Sequence, residues 1–402
     1  MPAYVPAYIK TQNRQVVYDL FREHGTLSRM DISEMTGMSF PTAVKVTDFL
    51  LSRGIVREAG LRETAATEGK TAGRKGRLLE FCPDAYRAIG FVYEGQRADI
   101  GLINLHGDLL ERRVLDLPRR NGQRDLGPAA RTIRELADLY ADAPILGVGI
   151  GYPGIVDPVG KIVRHDLPDA SRDGAFAERY ADFVQAIGLP FYLENDVNLA
   201  CVGEVACRNR REKVADLAYL SLGTGLGAGI VLDGQLRRGL HHRTGEIGVM
   251  QVGPFLHAFS PESWTDESIR LQDLFNVEAI RNRFGAVPGI DALLIGTTED
   301  GGPESGGVDA EALRKRVAEA LSLPLAAVVL ALACTIDITE FVLAGLLPDA
   351  LGVDLLERIR ARLAPVVRTP VRISPPMDPH AGLTGAAMTV FDALMAEMLS
   401  ES

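Results

Sequence analysis

The run Leu220 to Gly234, LSLGTGLGAGIVLDG, restricts the fold of this chain more than any other segment. It has the glycines of a phosphate-binding loop but not the context of either common type. No Gly-Lys-Ser/Thr follows, and the segment runs into a second strand rather than a helix, which excludes both a Walker A loop and a Rossmann fingerprint. Two readings stay open. Bare backbone N–H groups at a glycine turn can cradle phosphate, and the same sequence can form a tight hairpin.

The strands on either side belong to a larger pattern. IGFVY, RADIGLINL and LLERRVLDL read as successive strands with a turn at His106-Gly107, followed by a helix around Pro128 to Tyr140 and the apolar strand ILGVGIG. After Ala215 the order starts again with DLAYLSLG and GAGIVLDG. Such a repeat describes two related lobes with a cleft between them.

Ahead of this body the periodicity is helical. Val16, Val17, Leu20 and Phe21 share helical spacing up to Gly25. Ser28 with Asp31 forms a capping-box signature for a second helix, expected to bury Ile32 and Met35 and to end at Gly37. Ser39 caps a third helix, with Pro41 in its first turn and Ala43, Val46, Thr47 and Leu50 as its buried stripe. The short Gly37-Met38-Ser39 link favours a helix-turn-helix over a plain three-helix bundle. Ser39, Phe40, Thr42, Val44 and Lys45 are then left to face a major groove, as hydroxyls, an ammonium and apolar groups suited to base edges and thymine methyls. IVREAG and RLLEF read as strands flanking a wing. The segment Lys70 to Arg77 between them carries Lys70, Arg74, Lys75 and Arg77 with no acid, which suits a phosphate-tracking arm as well as a plain surface loop.

Composition narrows the setting. Residues 1–87 hold 13 Lys/Arg against 10 Asp/Glu, a net of +3, whereas the whole chain carries −10. A basic head on an acidic body confines nucleic-acid attraction to the head, because charge effects are local and screened. Cys82, Cys201, Cys207 and Cys334 form no CxxC pair, so neither a disulfide framework nor a thiolate zinc site is indicated. No apolar run reaches the ~20 residues of a membrane span. The N-terminus lacks a signal-peptide layout. A cytoplasmic protein without membrane partners is expected.

The stretches GIGYPGIVDPVGKIV, LENDVNLACVGE, YLSLGTGLGAGIVLDGQLRRG, TGEIGVM and GLTGAAM occur in one order along the chain. With them, the chain resembles the ROK family of repressors and sugar kinases over nearly its whole length. The head, followed by AGRKGRLLEF, resembles the family's regulator branch. The resemblance implies an α/β fold: a winged helix-turn-helix over residues 1–87, then a two-lobed actin-like sugar-kinase domain over 88–402. Lobe 1 would span about 88–195 plus the C-terminal helix, and lobe 2 about 196–380. It also implies a sugar site, with Asn195 and Asp196 on ligand hydroxyls, Asp196 being the general base in kinases, and Glu246 and Gly154 beside them. These residue types suit a polyol, since carboxylates accept from hydroxyls and an amide does both.

Three departures from the family pattern bear on activity. The kinases carry Asp-x-Gly-Gly-Thr after the first strand. Here the corresponding residues are Val92, Glu94, Gly95 and Gln96, which would neither place magnesium nor neutralise triphosphate. The family's zinc-binding His is Val249, and QVGPFLHAFSPESWTDES replaces its cysteine run, so no metal is expected and His257 reads as an ordinary polar residue. In the family that loop also supports a His and a Glu on the sugar. Val249 removes the first, and Glu267 is the candidate for the second. The adenosine-side Gly-Gly is Ala344-Gly345. The expectation is therefore a sugar-gated repressor without catalytic residues, cofactor or metal. It would act as a homodimer, or a dimer of dimers, on an inverted repeat in double-stranded DNA. Two alternatives stand beside it: an active sugar kinase with a DNA-binding appendage, and a regulator controlled by a protein partner with an empty cleft.

Overall fold

The computed structural model describes residues 6–61, 77–94, 97–120, 123–164, 173–223, 225–251, 270–275, 277–285 and 308–400. The head consists of α1 (Pro6–His24), β1 (Thr26–Ser28), α2 (Arg29–Thr36), α3 (Phe40–Ser52), β2 (Val56–Leu61) and β3 (Arg77–Phe81). Its three strands form one antiparallel sheet in the order β1-β3-β2. This is a winged helix-turn-helix fold. Local chemistry sets the boundaries. Ser28 Oγ accepts from the Asp31 N–H at 3.2 Å while the Asp31 carboxylate accepts from the Ser28 N–H at 2.9 Å, and Gly37 closes α2 in the left-handed region at φ 72°. Each such cap contributes about 1 kcal/mol.

Ala43, Val46, Thr47 and Leu50 are buried as expected. Met35 is not. It is 49% exposed, because the last turn of α2 faces inward through Ser33 and Thr36, whose hydroxyls donate to Met38 O and Ile32 O at 2.6 Å. Val16 is also exposed, at 42%, since α1 turns Arg14, Val17, Tyr18 and Phe21 to the core and position 16 falls beside that stripe.

Two five-stranded sheets follow. The first contains β4 (Arg87–Glu94), β5 (Arg97–Asn104), β6 (Leu109–Asp116), β9 (Ile145–Tyr152) and β13 (Phe191–Asn195). Short pairs β7 (Arg119–Arg120) with β8 (Gln123–Arg124), and β10 (Ile155–Asp157) with β11 (Ile162–Arg164) and β12 (Gly174–Ala175), lie outside it. Helices α4 (Gly127–Leu139), α5 (Phe176–Arg179) and α6 (Ala181–Ile187) complete this lobe. Then α7 (Asp196–Arg208) leads to the second sheet of β14 (Leu217–Leu222), β15 (Leu226–Leu232), β16 (Gln235–Leu236), β17 (Glu340–Ala344) and β18 (Arg372–Ser374). The sheets run β13-β9-β4-β5-β6 and β16-β15-β14-β17-β18. In each, three antiparallel strands are followed by two added in parallel, which is the internal repeat expected from the sequence.

The second lobe packs α8 (Leu271–Phe275), α9 (Val277–Phe284), α10 (Val308–Ile336) and α11 (Leu346–Leu363) on its sheet. Within α10, Glu311–Ile336 is long and apolar enough to satisfy a membrane span, contrary to the expectation from apolar runs alone. Half of its most apolar window is buried, with Val317, Leu321, Leu325 and Val329 in the lobe's core.

The last helix, α12 (Ala381–Ser400), ties the molecule together. It lies on β4 and β9, crosses α7, and meets α1. Its Leu383, Ala387, Met388, Val390, Phe391 and Met395 share one hydrophobic core with Val17, Phe21, Leu50 and Leu79 of the head. The loop leading into α12 is fixed by Glu204 of α7. That fully buried carboxylate accepts from Arg208 Nε at 2.6 Å, Met377 N at 2.9 Å and Asp378 N at 3.1 Å.

Candidate functional site

The glycine-rich run resolves mainly into packing. Leu220 to Gly234 forms the β14–β15 hairpin, and a Cβ at Gly229 would stand 2.5 Å from Cys201 Cβ and 2.8 Å from Val197 O, both on α7. Gly229, together with Gly227, therefore lets α7 lie directly on the second sheet. That helix starts at the end of β13, in the first sheet, so its first turn sits where the two lobes meet.

Asn195 is the N-cap of α7. Its Oδ1 accepts from the Asn198 N–H at 2.9 Å, and its Nδ2 donates to Gly154 O at 3.0 Å. The amide thus holds the β9–β10 turn against the start of α7, and one lone pair and one N–H stay available for a ligand. Asp196 follows as the first helical residue, where the helix dipole favours a carboxylate. One of its oxygens accepts from its neighbour's N–H, Val197 N, at 2.9 Å. Behind it lies the buried Tyr93, whose phenol is raised well above its usual range by burial, with Tyr180, Tyr152 and Asp196 adding to the shift.

From the second lobe, residues 237–246 close over this corner. Arg238 Nε reaches Glu194 Oε2 at 2.5 Å, pairing a carboxylate that is 1% exposed and would be costly to bury alone. The other Glu194 oxygen accepts from Asn195 N at 2.9 Å and Asn198 Nδ2 at 3.0 Å. Further along, His242 Nε2 lies 3.6 Å from Asp157 Oδ1 on β10. The Gly160 N–H holds the Asp157 carboxyl below the usual range, and His242 acts in the same direction. The segment ends at Glu246, positioned by Gly245, whose N–H-facing carbonyl accepts from Ala228 N at 2.8 Å and where a Cβ would collide with Ala228 O. Asn195 thus brings Gly154 against the start of α7 beside Asp196, whereas Glu246 lies on the second lobe, at the end of the segment that carries Arg238 and His242. The sequence reading missed Glu194, Arg238 and His242; the one local signal for the last two is the cationic run LRRGLHHR just ahead of TGEIG, which by itself names no partner.

Val92, which the sequence reading set against the kinases' metal-placing Asp, packs its methyl groups beside Gly151 and Gly382. The position is apolar and offers no metal ligand. Glu94 ends β4, while Gln96, His257 and Glu267 lie outside the described residues.

On the head, Ser39 and Lys45 are exposed, Phe40 is 46% exposed, and Thr42 and Val44 are half-buried. Ser39 Oγ and Thr42 Oγ1 lie 2.8 Å apart, and Ser39 Oγ also accepts the Thr42 N–H at 3.4 Å. Arg29 anchors α3 to α2 by donating to Thr47 Oγ1 at 2.9 Å and Asp48 Oδ1 at 2.6 Å. Arg77 belongs to β3 and donates to Glu58 Oε1 on β2 at 2.8 Å, so it stiffens the hairpin instead of extending a free arm. Arg74 and Lys75 lie outside the described residues.

Residues 90–262 match the ROK family. The xylose repressor of Caldicellulosiruptor bescii is 29% identical over 249 residues, covering 60% of this chain and 58% of that repressor. The match therefore spans less than two thirds of the relative's length. A crystal structure of a ROK family transcriptional regulator, a homolog of the E. coli MLC protein, superposes with a TM-score of 0.69 at 22% identity, covering 98% of this chain and 100% of that one. A ROK family glucokinase from Streptomyces griseus, solved with glucose and AMPPNP, superposes with a TM-score of 0.54 at 23% identity over 75% of this chain and 98% of its own. At these identities the likeness is one of fold.

Proposed function

For a chain that carries a ROK family domain behind a winged helix-turn-helix, we propose the role of a DNA-binding transcriptional regulator. It represses carbohydrate genes and is gated by a sugar or sugar derivative held between its lobes. The observation that carries this reading is the placement of α12. One face belongs to the head's core, another lies on the first sheet, and a third crosses α7, whose first turn is the Asn195-Asp196 corner. A ligand that draws residues 237–246 toward that corner acts on the helix on which the head is built.

In this proposal residues 1–87 form the DNA-binding unit and 88–402 the effector unit, with α12 shared between them. Two chains present their heads to an inverted repeat, and closure of the lobes changes the distance or angle between the heads. A ligand does this only through differential affinity. Binding the DNA-free state a hundredfold more tightly corresponds to about 2.7 kcal/mol. In this proposal Asp196 serves as a ligand acceptor rather than a general base, a reading supported by the family resemblance that sets the apolar Val92 against the metal-placing carboxylate of phosphoryl transfer.

Asp196→Ala tests the reading. Losing a charged acceptor removes about 1.5–3 kcal/mol of ligand binding, enough to cancel most of that coupling. The variant is expected to bind an operator selected from random DNA as tightly as the parent, yet stay bound when D-xylose, D-glucose or N-acetyl-D-glucosamine is added. Fluorescence anisotropy measures both. Release of the variant at the same sugar concentration as the parent would place the ligand elsewhere.

A further inference from the structure

His242 combines three features that packing alone does not explain. It adopts the left-handed region at φ 57°, a conformation for which glycine is the usual choice. Its Nε2 faces Asp157 across the lobe junction at 3.6 Å. Its Nδ1 is buried and has no hydrogen-bond partner among the described residues. A buried polar nitrogen without a partner is uncommon in a finished fold and asks for an occupant. Backbone conformations of this kind cluster at active sites and ligand clamps.

We propose that His242 is a ligand-contacting residue of the lobe junction and that its Nδ1 accepts a hydrogen bond from a hydroxyl of an uncharged sugar. The assignment rests on the cleft reading above and narrows its ligand class. Asp157 favours the tautomer with the proton on Nε2, which leaves a lone pair on Nδ1. In the cleft reading Asp196 and Glu246 are likewise acceptors. A ligand that meets all three must bring several O–H donors. A phosphate or carboxylate brings only acceptors and would face two carboxylates.

The test uses the full chain, its His242→Gly and Asp196→Ala variants, D-glucose, D-xylose, N-acetyl-D-glucosamine, and the 6-phosphates of the two hexoses. Calorimetry gives affinity and thermal melting gives stability. Glycine suits φ 57°, so His242→Gly is expected to melt at or above the parent while binding the parent's preferred neutral sugar about tenfold more weakly. Melting several degrees lower would show that the imidazole only supports the loop, overturning the proposal without any ligand. Full affinity in His242→Gly with loss in Asp196→Ala would remove His242 and leave the cleft reading standing. Unchanged affinity in Asp196→Ala would remove that reading and the inference with it. Preference of the parent for a 6-phosphate would overturn the ligand class, and no binding of any of these sugars by the parent would overturn both.

Discussion

A Cβ at Gly385 would stand 1.8 Å from the Leu199 carbonyl oxygen, and one at Gly203 would stand 2.0 Å from that of Ala381. Both obstacles are backbone atoms, which cannot rotate away, so even a methyl group must push α7 and α12 apart. Overpacking costs about 1–3 kcal/mol. Gly385→Ala is expected at the upper end of that range, read as a lower urea midpoint with an unchanged slope. The same residue scale shows what the sequence makes legible. Ser28, Asp31 and Ser39 are readable as caps because cap chemistry is complete within four residues. Asn195 is readable as a cap or as a ligand group, and the structure gives it the cap while leaving part of its amide for the other role. His242 and Arg238 are not readable, since Asp157 and Glu194, which give them meaning, are distant in the chain.

Among the elements, α12 depends least on its own sequence for its role. Its apolar pattern predicts a buried helix but does not say which of three neighbours it serves, and the motif GLTGAAM marks only the crossing with α7. The succession of elements along the chain was readable because alternation and turn residues recur in both halves. The union of α12 with the head was not, because nothing local links residues 383–395 to α1. Phe391 is 2% exposed and sits within the head's core cluster. Removing such a ring typically costs about 3–5 kcal/mol. Phe391→Ala is expected to lower hydrogen-exchange protection across α1 and α3 far more than across β14 and β17, whose core is separate. Equal loss in both regions would show that the head has no stability of its own to lose through α12.

At the scale of the whole molecule, the charge distribution allows a test of how many heads meet DNA. The chain carries −10 overall while residues 1–87 carry +3, so attraction to a duplex is confined to the head and opposed by the body. A single small head makes few base contacts, and useful affinity needs two half-sites. If Arg74 and Lys75 each neutralise one phosphate, the double alanine variant loses two counterion-release contacts per head. At a slope of about 0.9 per contact, the dependence of log affinity on log salt should flatten by about 1.8 on an isolated half-site and about 3.6 on the full inverted repeat. Lys45, exposed midway along α3 on the face proposed to enter the major groove, differs in kind. Its replacement should change sequence preference more than salt dependence, because base contacts specify and phosphate contacts position. Anisotropy titrations over a salt series on both DNAs separate the possibilities. Equal flattening on the half-site and on the repeat would mean that one head binds at a time, and the paired-head proposal would fall. No flattening on either would take Arg74 and Lys75 off the phosphates and leave α3 as the head's main contact with DNA.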